Sequence, residues 1–193
     1  MNRRSGIESK KRILDAAMKV FSDHGYAKAS MRMIAKASGI SIGGLYIYFN
    51  NKEDLYLTLI KYRLDDLADK TREALKDIKD PAEAISTFIA MHLNYAKKHK
   101  ELILIQGREH GFTFSIDIKK KFFKSQRKLV EDIIRKGIKS GVFQGCNVKE
   151  AAKIIISALR GFVLSIVIAA DALFSPEECS NLILNGLLRR NDK

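Results

Sequence analysis

Helix-start signals recur along this chain, and they restrict its fold more than any other feature of the sequence. Asp80-Pro-Ala-Glu83 and Ser175-Pro-Glu-Glu178 each place a capping residue, a proline at the first helical position and an acid at the third. Asn147-Val-Lys-Glu150 offers a similar cap without the proline. Since the chain has only 2 prolines and is 46% hydrophobic, we predict a compact all-α fold with no strand.

The sequence predicts three helices near the N-terminus, at about residues 8–24, 31–38 and 42–49. Apolar residues of the first follow the 3.6-residue period of an amphipathic helix: Ile13, Leu14, Ala17, Met18 and Phe21. Gly25 and Gly39 supply helix stops, while Ser30 and Ser41 can cap the second and third helices. Two short helices joined by a glycine-bearing turn form the helix-turn-helix pattern, whose second helix enters the major groove of DNA.

The rest of the chain predicts a larger helical domain. Asn51 can cap a long helix that carries an apolar face to about Lys76. Five further helices are expected near residues 81–98, 101–110, 115–139, 148–172 and 176–189. The prediction is therefore about nine helices in total, with a helix-turn-helix domain at residues 1–52 and a second helical domain at 53–193.

Positive charge is concentrated at the N-terminal end. The formal net charge is +13, and residues 1–52 contain ten Lys and Arg against three Asp and Glu. A polyanionic partner is indicated, and the helix-turn-helix pattern makes double-stranded DNA the expected one. The N-terminal clusters that include Arg3 and Lys10 fit either an arm that follows the DNA backbone or a solvated basic face.

The N-terminal part of the chain resembles the DNA-binding domain of TetR/AcrR-type transcriptional repressors. The segments that carry this resemblance are Phe21-Ser-Asp-His-Gly-Tyr26, Ala29-Ser-Met-Arg-Met-Ile-Ala35, Ser38-Gly-Ile40, Gly44-Leu-Tyr-Ile-Tyr-Phe49 and Asn51-Lys-Glu-Asp-Leu55. They follow one another in the order and spacing of that family over nearly fifty residues. Beyond them the chain resembles the family in being helical, in its length and in ending with two apolar helices.

The resemblance implies roles for nine residues in DNA binding. Ser30 and Arg32 are expected to contact the DNA backbone at the start of the second helix. The residues expected in the major groove are Ser41, Ile42, Gly43, Gly44 and Tyr46. Tyr48 and Lys52 are expected to donate hydrogen bonds to phosphates.

The glycine pair has two interpretations. Each glycine within a helix costs about 1 kcal/mol relative to alanine, and this cost needs a compensating reason. In the functional interpretation, the missing side chains allow the helix backbone to approach the bases. In the other interpretation, the segment is a loop with no role in recognition. The predicted helix has no Arg, Asn or Gln for bidentate base readout. Specificity is therefore expected to depend on Arg32, Tyr46 and the deformability of the DNA.

For the second domain, the resemblance implies a cavity among the middle helices that binds a small-molecule effector. The candidate lining residues are Phe88, Met91, His92, Tyr95, Arg108, Phe112, Phe123, Arg127 and Phe162. Taken singly, each of these side chains more often belongs to an ordinary core than to a ligand pocket. If a pocket is present, its lining indicates a hydrophobic, acyl-chain-like ligand, with Arg108 and Arg127 suited to a carboxylate or phosphate head group.

The last two helices indicate a homodimer. Residues 151–173 are apolar around much of the helix, and a second apolar stripe follows: Leu182, Ile183, Leu184, Leu187 and Leu188. Two such helices from each of two copies would bury one another as a four-helix bundle, an arrangement that the resemblance also implies. A two-fold dimer presents its recognition helices to major grooves about 34–36 Å apart, which predicts a palindromic operator.

Other classes of protein have little support in the sequence. Cys146 and Cys179 are typical of a reducing cytosol, and the N-terminus has no signal-peptide core, so we expect a cytoplasmic protein. No apolar stretch has the length of a membrane span. His92 and His99 share a helix face without a third metal ligand, and no catalytic arrangement or cofactor motif stands out.

Two functions of different classes remain open. The first is a ligand-responsive DNA-binding repressor. The alternative is a DNA-bound interaction protein on the same scaffold, whose second domain engages a protein. A helical carrier or enzyme for an apolar metabolite would leave the basic N-terminal module unexplained.

Overall fold

The described part of the chain forms eight helices, as the sequence predicts for an all-α protein. The computed structural model describes residues 3–101, 103, 104, 115–168 and 175–188. The helices are α1 (Arg3–Lys28), α2 (Met31–Ser38), α3 (Ile42–Tyr48), α4 (Lys52–Leu75), α5 (Pro81–Lys98), α6 (Ile116–Lys139), α7 (Val148–Ile168) and α8 (Pro176–Leu187). The prediction of about nine helices is close to this number. Most of the predicted helix near 101–110 lies outside the described residues.

The predicted caps and stops set the helix boundaries. Gly25 has a φ of 74°, which interrupts α1 before its last residues. Gly39 has a φ of 65°, and its amide donates to carbonyl oxygens in the last turn of α2. Asp80 and Ser175 each accept a hydrogen bond from an amide in the first turn of α5 and α8, respectively. These short-range signals explain why α2, α3 and α5 begin and end close to the predicted residues, whereas α1 (Arg3–Lys28) begins before and ends after the predicted range of 8–24.

The first compact unit contains α1, α2, α3 and the beginning of α4. Its core includes the apolar stripe of α1, with Ile13 and Phe21 fully buried. The Phe21, Tyr26 and Tyr56 rings pack together with centroid separations of 4.8–5.6 Å. Tyr56 is a residue of α4, so the first turns of this helix belong to the core of the helix-turn-helix unit. The domain boundary predicted after residue 52 stays a prediction. The first compact unit itself continues into α4 as far as Arg63.

The second unit contains the rest of α4 together with α5, α6, α7 and α8. Helix α5 packs against both α7 and α8, and its Ile85, Phe88 and Ile89 are fully buried. The loop after α6 holds the end of α8, since the Gln144 amide donates to the Leu187 carbonyl oxygen at 3.0 Å. The Gln144 side chain donates to the Gly186 carbonyl oxygen at 2.8 Å. Among the described helices, none is apolar over a length sufficient to cross a membrane.

Candidate DNA-binding site

The start of α2 presents Ser30 and Arg32 to solvent. The Ser30 hydroxyl accepts a hydrogen bond from the Met33 amide at 3.3 Å, so this side chain caps the helix. Arg32 is exposed and forms no ion pair with any residue that the structure describes. An exposed guanidinium beside the amides of a helix start is well suited to a phosphate.

The outer surface of α3 carries most of the residues predicted to lie in the major groove. The Ser41 hydroxyl accepts a hydrogen bond from the Gly44 amide at 3.0 Å, which caps the helix. Leu45 is fully buried and anchors the inner side. Ile42 and Tyr46 are 40% and 51% exposed, and they therefore remain available to a ligand.

A surface depression brings the two sets of residues together. It has a volume of about 530 Å³ and is lined by Ala29, Ser30, Met31, Arg32, Ile42, Tyr46 and Lys52. The backbone-contacting candidates at the start of α2 thus lie beside the groove-facing candidates of α3. This arrangement allows a DNA strand to contact Arg32 while Tyr46 and Ile42 face the bases.

The Tyr48 hydroxyl does not face solvent. It is buried, and none of the described residues forms a hydrogen bond with it. A phosphate cannot reach this atom without displacing protein, so the predicted phosphate contact does not fit the geometry. The ring of Tyr48 instead belongs to the inner side of α3.

The ammonium group of Lys52 is also bound within the protein. Its Nζ donates to the carbonyl oxygens of Tyr26 at 2.8 Å, Ala29 at 3.0 Å and Ala27 at 3.3 Å. It also lies 4.4 Å from the centre of the Tyr26 ring. An ammonium has only three N–H donors, and all three are used here. This geometry replaces the predicted phosphate contact with an internal role: Lys52 joins the start of α4 to the end of α1.

The two glycines of α3 differ in their surroundings. A Cβ on Gly43 would meet no atom within 4 Å, whereas a Cβ on Gly44 would lie 2.9 Å from Ile40 Cγ2 and 3.1 Å from Ser41 Oγ. Gly44 is therefore favoured by packing around the helix cap. Gly43 has no such packing reason among the described residues, and the predicted close approach of its backbone to DNA stays a prediction.

Gly43→Ala is expected to stabilise the protein and to weaken DNA binding. The gain in helix propensity is up to about 1 kcal/mol, while the added methyl group holds the helix away from the bases. We expect at least a tenfold higher Kd for operator DNA, measured by fluorescence anisotropy alongside urea denaturation. Gly44→Ala is the comparison, because its added Cβ disturbs the Ser41 cap and should not raise stability. An unchanged Kd for Gly43→Ala would contradict close approach at this position.

Ile47 is absent from the predicted set although it is prominent on the surface. It is 78% exposed, the highest value among the large hydrophobic side chains of the described residues. The helical period could have identified Ile47 from the sequence, because this residue is two positions beyond Leu45 and hence on nearly the opposite side of α3. The resemblance does not carry a role to this position.

Four effector candidates on α5 and α6, together with Phe122, form a group that we call the aromatic wall: Phe88, His92, Tyr95, Phe122 and Phe123. The Phe88 and His92 rings lie 4.2 Å apart, and the His92 and Phe122 rings lie 6.1 Å apart. Tyr95 and Phe123 pack against the same cluster as Phe122. Phe88 is fully buried in the core, while Met91 on the same helix is half-buried.

Polar groups lie within and beside the aromatic wall. His92 Nδ1 lies 2.8 Å from the Phe88 carbonyl oxygen, and burial lowers the pKa of His92 to about 4. Gln126 is 2% exposed. Lys119 lies on the same side of α6 as Phe122 and Phe123, and burial lowers its pKa to about 8. The wall thus combines apolar surface with a neutral imidazole, an amide and one half-buried ammonium.

The remaining effector candidates are less favourably placed. The Arg127 guanidinium lies 3.7 Å from the Glu131 carboxylate and its side chain is 40% exposed, so this cation already has a carboxylate partner within the protein. Phe162 is half-buried against the main core of the second unit. Arg108 and Phe112 lie outside the described residues. Lys119 is half-buried, and the sequence does not distinguish it from the neighbouring lysines, because only its burial in the folded protein sets it apart.

No metal centre is present in the part of the chain that the structure describes. None of its His, Cys, Asp and Glu side chains form a group of three or more that would hold an ion. Cys146 is exposed and Cys179 is buried, and both are free thiols.

Comparison with known proteins covers nearly the whole chain. Residues 13–59 match the family model described as "Bacterial regulatory proteins, tetR family". Residues 60–186 match the model described as "YsiA-like protein, C-terminal region". The chain is 26% identical over 180 residues to the fatty acid metabolism regulator protein of Bacillus subtilis (strain 168), an alignment that covers 91% of this chain and 92% of the relative.

Two solved structures show the same arrangement of helices. The fatty acid degradation regulator FadR from Bacillus halodurans has a TM-score of 0.76 at 27% identity, covering 94% of this chain and 97% of that one. FadR from Bacillus subtilis in complex with stearoyl-CoA has a TM-score of 0.71 at 24% identity, covering 91% of this chain and 95% of that one. Because the second structure is only 24% identical to this chain, it supports the fold alone.

Proposed function

The chain belongs to the TetR family of bacterial regulatory proteins, and from this premise we propose that it is a repressor released by a long-chain acyl-CoA. As a member of this family it is a DNA-binding transcriptional regulator and not an enzyme. The observation that carries the proposed effector is the similarity to a fatty acid metabolism regulator along 91% of the chain. We further propose that it acts in the cytoplasm as a homodimer on a palindromic operator.

The DNA contacts proposed for each protomer lie on one surface. Ser30 and Arg32 hold the backbone, with Ser41, Ile42, Gly43 and Tyr46 in the major groove. The depression that joins the start of α2 to α3 supports this assignment. Two copies of the surface, placed one helical turn of DNA apart, contact two identical half-sites.

The aromatic wall supports an acyl chain as the effector. An apolar chain gains about 0.8 kcal/mol for each methylene group removed from water, and the half-buried rings of Tyr95 and Phe123 provide apolar surface for it. His92 and Gln126 provide hydrogen-bonding groups for the polar end of the chain. Lys119 provides positive charge for the phosphates of coenzyme A.

Titration of the DNA complex with acyl-CoA tests the proposed effector. An operator is first selected from random double-stranded DNA with the full-length protein, and its complex is then titrated with octanoyl-CoA, palmitoyl-CoA and stearoyl-CoA. We expect the long-chain compounds to raise the apparent Kd for DNA at least tenfold, because the effector binds one conformation of the dimer more tightly than the other. Coenzyme A alone and free palmitate are the controls.

The alternative function predicts a different result. A DNA-bound interaction protein would bind its sites equally well with and without every acyl-CoA tested. Such insensitivity, combined with binding at many dissimilar sites, would overturn the proposed repressor. Release by coenzyme A itself would overturn only the acyl-chain assignment.

We also propose that α7 and α8 form the dimer interface. The exposed residues Ile154, Ser157, Gly161 and Leu164 repeat along α7 at intervals of three and four, which places them in one stripe. Leu182 on α8 is 76% exposed, so apolar surface continues onto the second helix. Small residues in the stripe allow two copies to approach closely, and the apolar ones then leave water.

A further inference from the structure

We propose that Ile47 reads the operator sequence by packing against the C5 methyl group of a thymine in the major groove. The inference rests on the DNA-binding function and names a specificity-determining contact that the resemblance does not assign. Ile47 at 78% and Leu182 at 76% are the most exposed large hydrophobic side chains of the described residues. Leu182 lies on the proposed dimer interface, whereas Ile47 belongs to α3 and has no role among the DNA contacts proposed above.

The geometry of α3 directs Ile47 toward DNA. Leu45 is fully buried and Phe49 is 2% exposed, and these residues define the inner side of the helix. With 3.6 residues per turn, Gly43 and Ile47 lie about 160–200° from Leu45 around the helix axis. They are therefore the outermost residues of α3, one turn apart on the same stripe.

Gly43 lies one turn before Ile47 on the outer side of α3 and has no side chain. A Cβ at Gly43 would meet nothing within 4 Å, so the outer stripe is bare backbone for one turn and then carries a single large side chain. A helix that approaches the bases at Gly43 brings the next residue of the stripe to the groove floor. Ile47 is that residue.

The chemistry of an isoleucine limits what it can recognise. Its side chain has no hydrogen-bond donor or acceptor, so it can form a hydrogen bond neither with a phosphate nor with the polar edge of a base. The apolar group that the major groove offers is the thymine methyl, which distinguishes an A·T pair from the others. Ile42 and Tyr46, the other exposed large side chains of α3, are 40% and 51% exposed.

Replacing thymine by uracil in the selected operator tests this contact, because the change removes only the methyl group. Each thymine of one half-site is replaced in turn, and the Kd is measured for the wild-type protein and for Ile47→Ala. We expect one position at which uracil weakens wild-type binding about fourfold, the effect of exposing one buried methyl group. At that position the same replacement should have no effect on Ile47→Ala.

Controls separate a direct contact from general damage. Ile7→Ala removes the same atoms from another exposed helical position, since Ile7 is 68% exposed, and it should retain the full response to uracil. An unchanged melting temperature establishes that Ile47→Ala is folded. If Ile47→Ala binds the operator as tightly as the wild type, or responds to every uracil as the wild type does, the inference is wrong. Absence of any sequence-selective binding would overturn both the operator proposal and this one.

Discussion

Lys52→Met is expected to lower the free energy of unfolding by about 2–3 kcal/mol. This is the usual cost of removing the hydrogen bonds of a half-buried charged donor. Methionine keeps most of the side-chain stem, but the carbonyl oxygens of Tyr26, Ala27 and Ala29 lose their shared donor. The end of α1 also loses a cation that offsets the negative end of its helix dipole. Urea denaturation at constant pH measures the change.

The salt dependence of DNA binding distinguishes this internal role from a phosphate contact. Each phosphate contact contributes about 0.9 to the slope of log K against log salt concentration. We expect Arg32→Met to lower the slope by this amount per contact and to leave stability unchanged, since Arg32 is exposed. Lys52→Met should do the reverse, lowering stability with little change in slope. A lowered slope together with unchanged stability for Lys52→Met would restore the phosphate contact.

Leu182→Glu is expected to produce a monomer whose affinity for the full operator falls about 100-fold or more. Linking two DNA-binding modules in one dimer raises affinity by about this factor, because the second half-site is bound as an intramolecular step. A glutamate at a position that is 76% exposed in the protomer has little effect on folding. At a buried two-fold interface, however, it places two unpaired charges out of water.

Light scattering coupled to size-exclusion chromatography measures the oligomeric state, and fluorescence anisotropy measures the operator affinity. Asn94→Glu provides the matched control, because it adds the same charge at an exposed position of α5. The control should remain dimeric and bind DNA normally. A dimeric Leu182→Glu protein would contradict the assignment of α8 to the interface.

The secondary structure could be predicted because its signals are local. Ser30, Ser41 and Asp80 each bond to an amide two or three residues further along the chain. Gly25 and Gly39 adopt positive φ values at the helix ends, where a glycine is easily read from sequence. The outer residues of α3 follow likewise from its period once Leu45 is taken as its inner residue.

Side chains whose partners are distant in sequence could not be assigned in this way. Lys52 resembles any exposed lysine at a helix start, but its three acceptors lie 23–26 residues earlier in the chain. Tyr48 resembles its neighbour Tyr46, yet only Tyr46 is exposed. Lys119 differs from the adjacent lysines only in its burial, which depends on the packing of α6.

The sequence by itself determined the helices, the helix-turn-helix module and the family, since caps, helical period and motif spacing act over a few residues. Only the tertiary structure decided whether the Tyr48 hydroxyl and the Lys52 ammonium are available to a partner. Whether a polar group faces solvent or an internal acceptor depends on segments brought together by folding. Gly43 and Ile47 are therefore the outer residues of the recognition helix, while Tyr48 and Lys52 are directed into the protein.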